Sequence, residues 1–406
     1  MSAERVPAKL SGAASHGHLL DLIRSTGGMS RQQLLASTGM SRATLYERLE
    51  TLMRRKLIYE AESLEATGGR RSRKIRFDDR GRVVLAFALG QTHATVAVTD
   101  IAGRELRSRT LQSRIDAPSA AVLEPLIRLG AELLAEGADA AGAAGGAGGA
   151  DTAEESLVGV GLSLPAPVEA GTGHVVHPTT IPEWEPDAVV AAISRAWQVP
   201  LIVENDARAG ALGECTADDE TIVYVKVATG VGCGVVVDGS ILHGAHGAAG
   251  DIGHILVASE GPVCRCGRRG CLATFSSGSA IIGQLDGQGA MTMDDVVLAA
   301  RQGDPTVEAA LRSAADVLGG ALAATVTTVN PNRLVLGGVI GTIPVFAEQV
   351  RARVLRDVVD RIADGLEVLA GAEGDHAAID GLTRLVVRKV FAPESIDASI
   401  VDYALN

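Results

Sequence analysis

Asp251-Ile-Gly-His254, followed by Cys264-Arg-Cys-Gly-Arg-Arg-Gly-Cys271, is the stretch around which the rest of the chain is organised. Three cysteines within eight residues, with a histidine ten residues upstream, supply four soft or borderline donors, the number a tetrahedral structural zinc site takes. Gly267 and Gly270 let the chain fold the third thiolate back toward the first two. A disulfide or three unrelated buried thiols is the alternative. Donor count and spacing favour zinc on His254, Cys264, Cys266 and Cys271, a structural site with no position left open for substrate.

The same residues, with Leu272 after them, resemble the ROK (repressor, ORF, kinase) family of sugar kinases and sugar-responsive repressors, xylose and N-acetylglucosamine repressors among them. The family pattern here is Glu-x-Gly-His and then Gly-Cys-Leu-Glu. Two positions depart: Asp251 stands for the first glutamate and Ala273 for the second. Both glutamates hold sugar hydroxyls in the family, so the resemblance implies a pocket that binds sugar more weakly or binds something different. It covers nearly the whole chain, to about Pro393. It implies an α/β architecture, a two-lobed actin-like (ribonuclease H-like) body with a ligand cleft between the lobes, behind an N-terminal winged helix-turn-helix.

Composition agrees with several domains. The chain has 406 residues, 47% of them hydrophobic, enough for two or three cores. The N-terminal residues lack the apolar run of a signal peptide, and no stretch approaches the roughly 20 apolar residues of a spanning helix, so a cytoplasmic protein is expected. Five cysteines, three of them in the cluster, fit reduced thiols and a metal better than a disulfide framework. Of the chain's 37 basic and 49 acidic side chains, residues 1–82 hold 16 and 9, so that segment is +7 and the remainder −19. A basic head on an acidic body is the footprint of a nucleic-acid-binding module joined to a part that does not bind nucleic acid.

Within that head, His18–Arg24 reads as a short helix ended by Thr26-Gly27-Gly28. Ser30-Arg-Gln-Gln33 is a capping box for a second, closed by Gly39. Ser41 caps a third in which Leu45, Leu49 and Leu52 face inward, leaving Arg42, Ala43, Thr44, Glu47 and Arg48 outward. Leu57–Tyr59 and Ser72–Phe77 read as strands joined by the basic tip Ala66–Arg71. Helix lengths, turn and tip predict a winged helix-turn-helix that docks on double-stranded DNA. Arg42, Thr44 and Arg48 are placed for the major groove, and Arg70, Arg71 and Arg73 for the backbone or minor groove. A small protein-docking module is the alternative.

The body begins at Arg82–Leu89, a buried-strand run that turns through Gly90-Gln-Thr92 into the alternating strand His93–Val98. This turn is similar to the Asp-x-Gly-x-Thr loop of ROK kinases, which handles ATP phosphates and magnesium. Ala88 stands where the family has the aspartate. Magnesium needs oxygen ligands and a methyl supplies none, so phosphoryl transfer should be crippled. Pro118 to about Ala135 looks helical, and the Ala/Gly tract 137–153 reads as a disordered surface loop before a strand at Leu157–Leu164. His177–Trp184 is a polar loop whose Trp184 either lies against a sugar or simply packs.

Val199–Val203 reads as a strand delivering Glu204-Asn205-Asp206 to its end, where α/β folds bind ligands, ahead of a helix from Ala207 to Gly213. Locally, Asn-Asp reads equally as a helix cap. By resemblance, Asp206 is the general-base position and Asn205 orients the sugar ring. Thr221–Ala228 is a further strand opening onto the Gly-rich Thr229–Gly234, where Gly230 is by resemblance a sugar contact. His254 is expected to serve metal and pocket wall together. Asn330–Val339 is similar to the family's strand and glycine pair facing adenosine, and Ile379–Phe391 to its closing helix, with a short tail from Ala392.

The domains expected are a reader over 1–82, a first lobe over 83–200 with the closing helix from about 379, and a second lobe over 201–378. The function expected is a sugar-responsive DNA-binding regulator, a repressor of carbohydrate metabolism and not an enzyme. It is expected to act as a homodimer or dimer of dimers, sugar in the cleft altering operator affinity. The alternatives are an active sugar kinase carrying a DNA-binding head, which Asp206 favours and Ala88 opposes, and a regulator whose pocket no longer binds sugar.

Overall fold

Three serines each start a helix at the front of the chain, because each hydroxyl accepts one of the amides the first turn leaves free. In the computed structural model, which describes residues 15–62, 73–144, 156–285 and 291–404 apart from 170, 177–183, 186, 218 and 373, Ser15 caps α1 (His16–Ser25), Ser30 caps α2 (Arg31–Thr38) and Ser41 caps α3 (Arg42–Arg54). The capping box is formed: the Ser30 amide donates to Gln33 Oε1 at 2.9 Å and the Gln33 amide to Ser30 Oγ at 3.3 Å. Leu34, Leu45, Leu49 and Leu52 fill the centre of the module. Strands β2 (Ile58–Glu62) and β3 (Arg73–Phe77) make the wing, and the two-residue β1 (Met29–Ser30), which the sequence did not announce, pairs with the other side of β3.

Behind the reader lie two five-stranded sheets of identical order. In the first, β4 (Arg82–Leu89), β5 (His93–Asp100) and β6 (Glu105–Gln112) run antiparallel. β7 (Ser156–Leu164) and β8 (Leu201–Asn205) add in parallel on the far side of β4, giving β6-β5-β4-β7-β8. Helices α4 (Ser119–Ala144) and α5 (Ala188–Ala196) belong to this half, and α6 (Asp206–Glu214) follows β8 directly. The second sheet repeats the pattern as β11-β10-β9-β12-β13, from β9 (Ile222–Val227), β10 (Val231–Val237), β11 (Ser240–Ile241), β12 (Arg333–Gly337) and β13 (Glu367–Ala370). Its helices are α7 (Ala273–Ser276), α8 (Gly278–Leu285), α9 (Met293–Arg301), α10 (Pro305–Val329), α11 (Gly338–Gly341), α12 (Pro344–Asp357) and α13 (Asp360–Ala363). The chain closes with α14 (His376–Val390) and α15 (Pro393–Ala404). A duplicated α/β unit of this kind is the expected actin-like body.

Four expectations change. Helix α4 runs to Ala144, through the first part of the Ala/Gly tract read as a loop, because alanine is the best helix former; 145–155 lie outside the described residues. Strand β8 pairs with β7, so the first sheet extends beyond residue 200, where the first lobe was expected to end. The tail from Ala392 is the helix α15. Helix α10, at 25 residues, is apolar and long enough to cross a membrane by composition. It buries Leu311, Leu318 and Leu322 in the second lobe's core, which accounts for its hydropathy.

The reader does not own a private core. Leu19, Leu20, Ile23 and Leu45 share one apolar cluster with Val386, Val387, Phe391 and Ile396 of the closing helices. Phe77 of the wing meets Phe391 edge-on, ring centroids 5.0 Å apart, and the buried Gly17 amide donates to Asp397 Oδ1 at 2.9 Å. Helix α14 in turn lies backbone to backbone on α6. A Cβ added at Gly213 would sit 1.8 Å from the Ala377 carbonyl oxygen, and one at Gly381 1.9 Å from that of Ala209.

Gly381→Ala should therefore cost about 1–3 kcal/mol, the usual price of overpacking, whereas Gly283→Ala on α8, with no atom within 4 Å of the added carbon, should gain up to about 1 kcal/mol. Denaturant melts of the two variants check the contrast.

Candidate functional site

Strand β8 ends at Asn205, and the chain turns there into α6, which sets three polar side chains at the strand's C-terminal end. Asn205 is the helix cap: its Oδ1 accepts from the Ala207 and Arg208 amides at 3.0 and 3.1 Å, and its Nδ2 donates to the Ala166 carbonyl at 3.2 Å. Asp206 Oδ1 accepts from the Ala207 amide at 2.8 Å. Its Oδ2 accepts from Lys226 Nζ at 2.9 Å, in an ion pair whose side chains are only 12% and 15% exposed. Lys226 was missed by sequence reading, although one lysine inside the apolar strand Ile222–Val227 was a visible signal. Burial alone would lower its pKa, but the carboxylates of Asp206 and Asp375 outweigh that and raise it.

A second pair adjoins the first. His93 Nε2 lies 3.2 Å from Asp375 Oδ2, and Thr95 Oγ1 donates to the same oxygen at 2.8 Å. The hydrogen bond to Asp375 raises the His93 pKa above its ordinary 6.5. Burial of Asp375 works to raise its carboxyl, yet the His93 bond and the Lys226 charge leave it lowered. Ala88 is the cross-strand partner of Thr95 and packs among Ala209, Ala378 and Leu382. The floor of the cleft thus carries basic and acidic side chains in alternation: His93, Asp375, Lys226 and Asp206. Above it opens a cavity of about 840 Å³, lined among others by Arg301, Gly338 and Thr342. Gly338, at φ +78°, lies so close to the Val227 carbonyl that folding alone demands a glycine.

Asn205, Asp251 and His254 share a smaller cavity with Pro167, Gly232 and Gly250, about 60 Å³ in volume, room for a few waters rather than a sugar ring. Gly230 lies two residues away, in the turn between β9 and β10, with open space over it. Arg208, also unanticipated, forms one wall. Its side chain is 2% exposed, pairs through Nε with Glu204 at 2.9 Å, and donates to the Gly247 and Val168 carbonyls at 3.0 and 2.9 Å. Glu204 meets His243 Nε2 at 2.7 Å. Trp184 is buried and donates from Nε1 to the Ala117 carbonyl at 2.9 Å, so it packs and is not presented to a ligand; residues 177–183 lie outside the described residues.

The donor atoms of His254, Cys264, Cys266 and Cys271 all lie within 4.8 Å of one another. Cys264 Sγ is 3.5 Å from His254 Nδ1, and Cys266 Sγ is 3.7 Å from Cys271 Sγ. A tetrahedron with metal–sulfur bonds of about 2.3 Å has edges of about 3.8 Å, so the four donors fit one metal ion. Gly267 and Gly270, at φ +86° and +78°, make the turns that bring the sulfurs together.

On the reader, Arg42 is exposed and Thr44 Oγ1 lies 2.9 Å from Ser41 Oγ. Arg48 is not outward. Its NH1 reaches His16 Nδ1 at 3.0 Å between α3 and α1, because position 48 closes the same stripe as Leu45, Leu49 and Leu52. Burial, with the Arg48 charge, lowers the His16 pKa. Arg73 is exposed and pairs with Glu60 at 3.3 Å, while Arg70 and Arg71 lie outside the described residues. Tyr46, overlooked in the sequence, is 52% exposed under the Arg31 guanidinium.

A duplicated actin-like body, a polar cleft and a cysteine–histidine cluster, carried behind a helix-turn-helix, define a class of sugar-kinase-like proteins fused to a DNA-reader fold. Comparison makes the assignment closer: residues 84–389 match the ROK family model, and the chain belongs to the ROK family. It is 24% identical over 377 residues to the xylose repressor of Bacillus subtilis (strain 168), covering 91% of this chain and 94% of that one. It is 32% identical over 251 residues to a glucokinase of Halalkalibacterium halodurans, covering 56% and 76%, so the family holds kinases as well as repressors. The crystal structure of a ROK family transcriptional regulator, a homolog of the E. coli MLC protein, superposes with a TM-score of 0.75 at 23% identity, over 96% of this chain and 99% of that one.

In an NMR titration the His93 ring should show a pKa above 6.5, and Asp375→Asn should bring it down. Because the folded value is the higher one, the pair's stabilisation is complete below pH 6.5 and fades as the pH rises through the folded pKa.

Proposed function

We propose that this chain is a sugar-responsive, DNA-binding transcriptional repressor of carbohydrate metabolism, cytoplasmic and without kinase activity. The observation that carries the reading is the shared core. The reader rests on α14 and α15, and α14 lies on α6, the helix that begins at Asn205 and Asp206. A ligand that draws Asp206 and the lobes together shifts α6 and α14 as one body and so re-aims the reader. Only a ligand that binds the two arrangements unequally changes operator affinity. The xylose repressor and the MLC homolog, matched nearly end to end, support the same reading.

In this reading the reader spans residues 1–82, the first lobe runs from 83 through strand β8 at 205 with the closing helices, and the second lobe from there to 378. The sugar meets Asn205, Asp206, Gly230, Asp251 and His254, with the small cavity widening on entry. Arg42, Thr44, Arg73 and the tip residues Arg70 and Arg71 hold the DNA backbone. Two copies place two readers on paired half-sites. The metal is structural zinc on His254, Cys264, Cys266 and Cys271. It would cross-link the loop that carries Asp251 and hold His254 at the pocket wall. Phosphoryl transfer is disfavoured by Ala88, which offers magnesium no oxygen, and by Lys226, which already occupies Asp206.

The competing kinase reading draws on Asp206, the 840 Å³ cleft and the glucokinase match. Fluorescence anisotropy on a duplex selected by the protein, with D-xylose, D-glucose and N-acetylglucosamine each added, separates the two. One sugar should change DNA affinity about 5- to 150-fold, and ATP consumption should stay at its sugar-free rate. Asp206→Asn combined with Lys226→Met, which keeps the buried charges balanced, should leave sugar-free DNA binding intact and abolish the response. Sugar-dependent ATP turnover would sink the repressor-only reading.

Metal analysis should find about one zinc per chain. Cys271→Ser should lose it and lower the melting temperature, and a chelator should do the same to the unaltered protein.

A further inference from the structure

Helix α3 turns Leu45, Leu49 and Leu52 into the core, and Arg48 closes that stripe against α1. At 100° per residue the opposite direction belongs to Ala43, Glu47 and Glu50, all three exposed. A recognition helix meets the bases with its N-terminal half, so the middle of the groove-facing surface is Glu47, one turn after Ala43, and not an arginine. Its two flanks are fixed. Tyr46 lies 5.3 Å below the Arg31 guanidinium, which itself pairs with Glu60, and Thr44 is tied to Ser41. Glu47 has no ion-pair partner among the described residues.

An unpaired carboxylate there opposes the rest of the module, since residues 1–82 carry +7 while the remainder of the chain carries −19. On the DNA-binding reading, phosphates repel Glu47 on any duplex. What offsets the repulsion in the major groove is an amino group on a base edge: a carboxylate accepts a hydrogen bond from cytosine N4, and an alanine methyl packs against the thymine methyl.

Resting on the DNA-binding function proposed above, we infer that Glu47 is the base-reading residue of this protein. It accepts from a cytosine amino group, beside Tyr46 held in place by Arg31. Arginines on the flanks and wing supply affinity, while Glu47 penalises every duplex that lacks the matching cytosine. The reader thereby gives up non-specific binding for discrimination.

The test uses the full chain. Duplexes are selected from a random pool, and affinities for the selected and a scrambled duplex are measured at one fixed salt concentration. Glu47→Gln should bind the scrambled duplex several-fold more tightly and the selected one more weakly, collapsing the ratio about 10- to 100-fold, the range of a well-placed base contact. A pool reselected with the variant should lose its cytosine preference at one position per half-site. Glu50→Gln, nearly one turn on, should leave that preference unchanged. If Glu47→Gln weakens both duplexes alike, or the reselected pool keeps the same cytosine, the inference is wrong and the repressor reading stands. If the unaltered protein selects no sequence at all, both fall.

Discussion

Two helices that touch backbone to backbone at two glycines link the polar site to the N-terminal module. Helices α6 and α14 approach so closely that Gly213 and Gly381 leave no room for even a methyl group. At those two points there is no slack: the contact cannot absorb small displacements by changing rotamers, as a leucine-on-leucine contact would. The N-terminus of α6 at the polar site and the apolar seat of the reader on the far end of α14 are thus joined through one close helix pair.

The cleft floor is built from side chains that pair with one another. Ala88 brings only a methyl to it, and the positive charge comes from the chain itself in Lys226. Asp206 and Asp375 flank that ammonium, and His93 caps the row. Such a cluster orders its own side chains through the two pairs His93–Asp375 and Lys226–Asp206. Removing Lys226 or Asp206 alone would strand a buried charge and cost about 3–5 kcal/mol, whereas removing both leaves none unpaired.

What could be read from the sequence was whatever its own short-range spacing encodes. The cysteine and histidine donors lie within 18 residues, and the serine caps Ser30 and Ser41 announce themselves through the residues that follow each one, whereas Ser15 was not read as the cap of α1. Pairings made by the fold could not be read. Thr95 meets Asp375 across 280 positions, and Lys226 finds Asp206 only because β9 and α6 are brought side by side. Arg48 is a different failure: Leu45, Arg48 and Leu52 follow helical spacing, so its inward aim was available and was overridden by its charge. The Ala/Gly tract misled because low complexity was weighed above alanine's helix propensity. The match between Ser41, Leu45 and Leu49 and the observed α3 shows the opposite case, where cap and periodicity agree.

The seat of the reader on the closing helices also fixes an order of events in biosynthesis. A chain leaving the ribosome presents Leu19, Ile23 and Leu45 long before Phe391 and Ile396, which seal the same cluster. Until then the front module has an open apolar flank and no partner for the buried Gly17 amide. A prematurely terminated chain therefore exposes a greasy surface to chaperones and proteases instead of a finished reader. Only a chain extended through α15 can close that core.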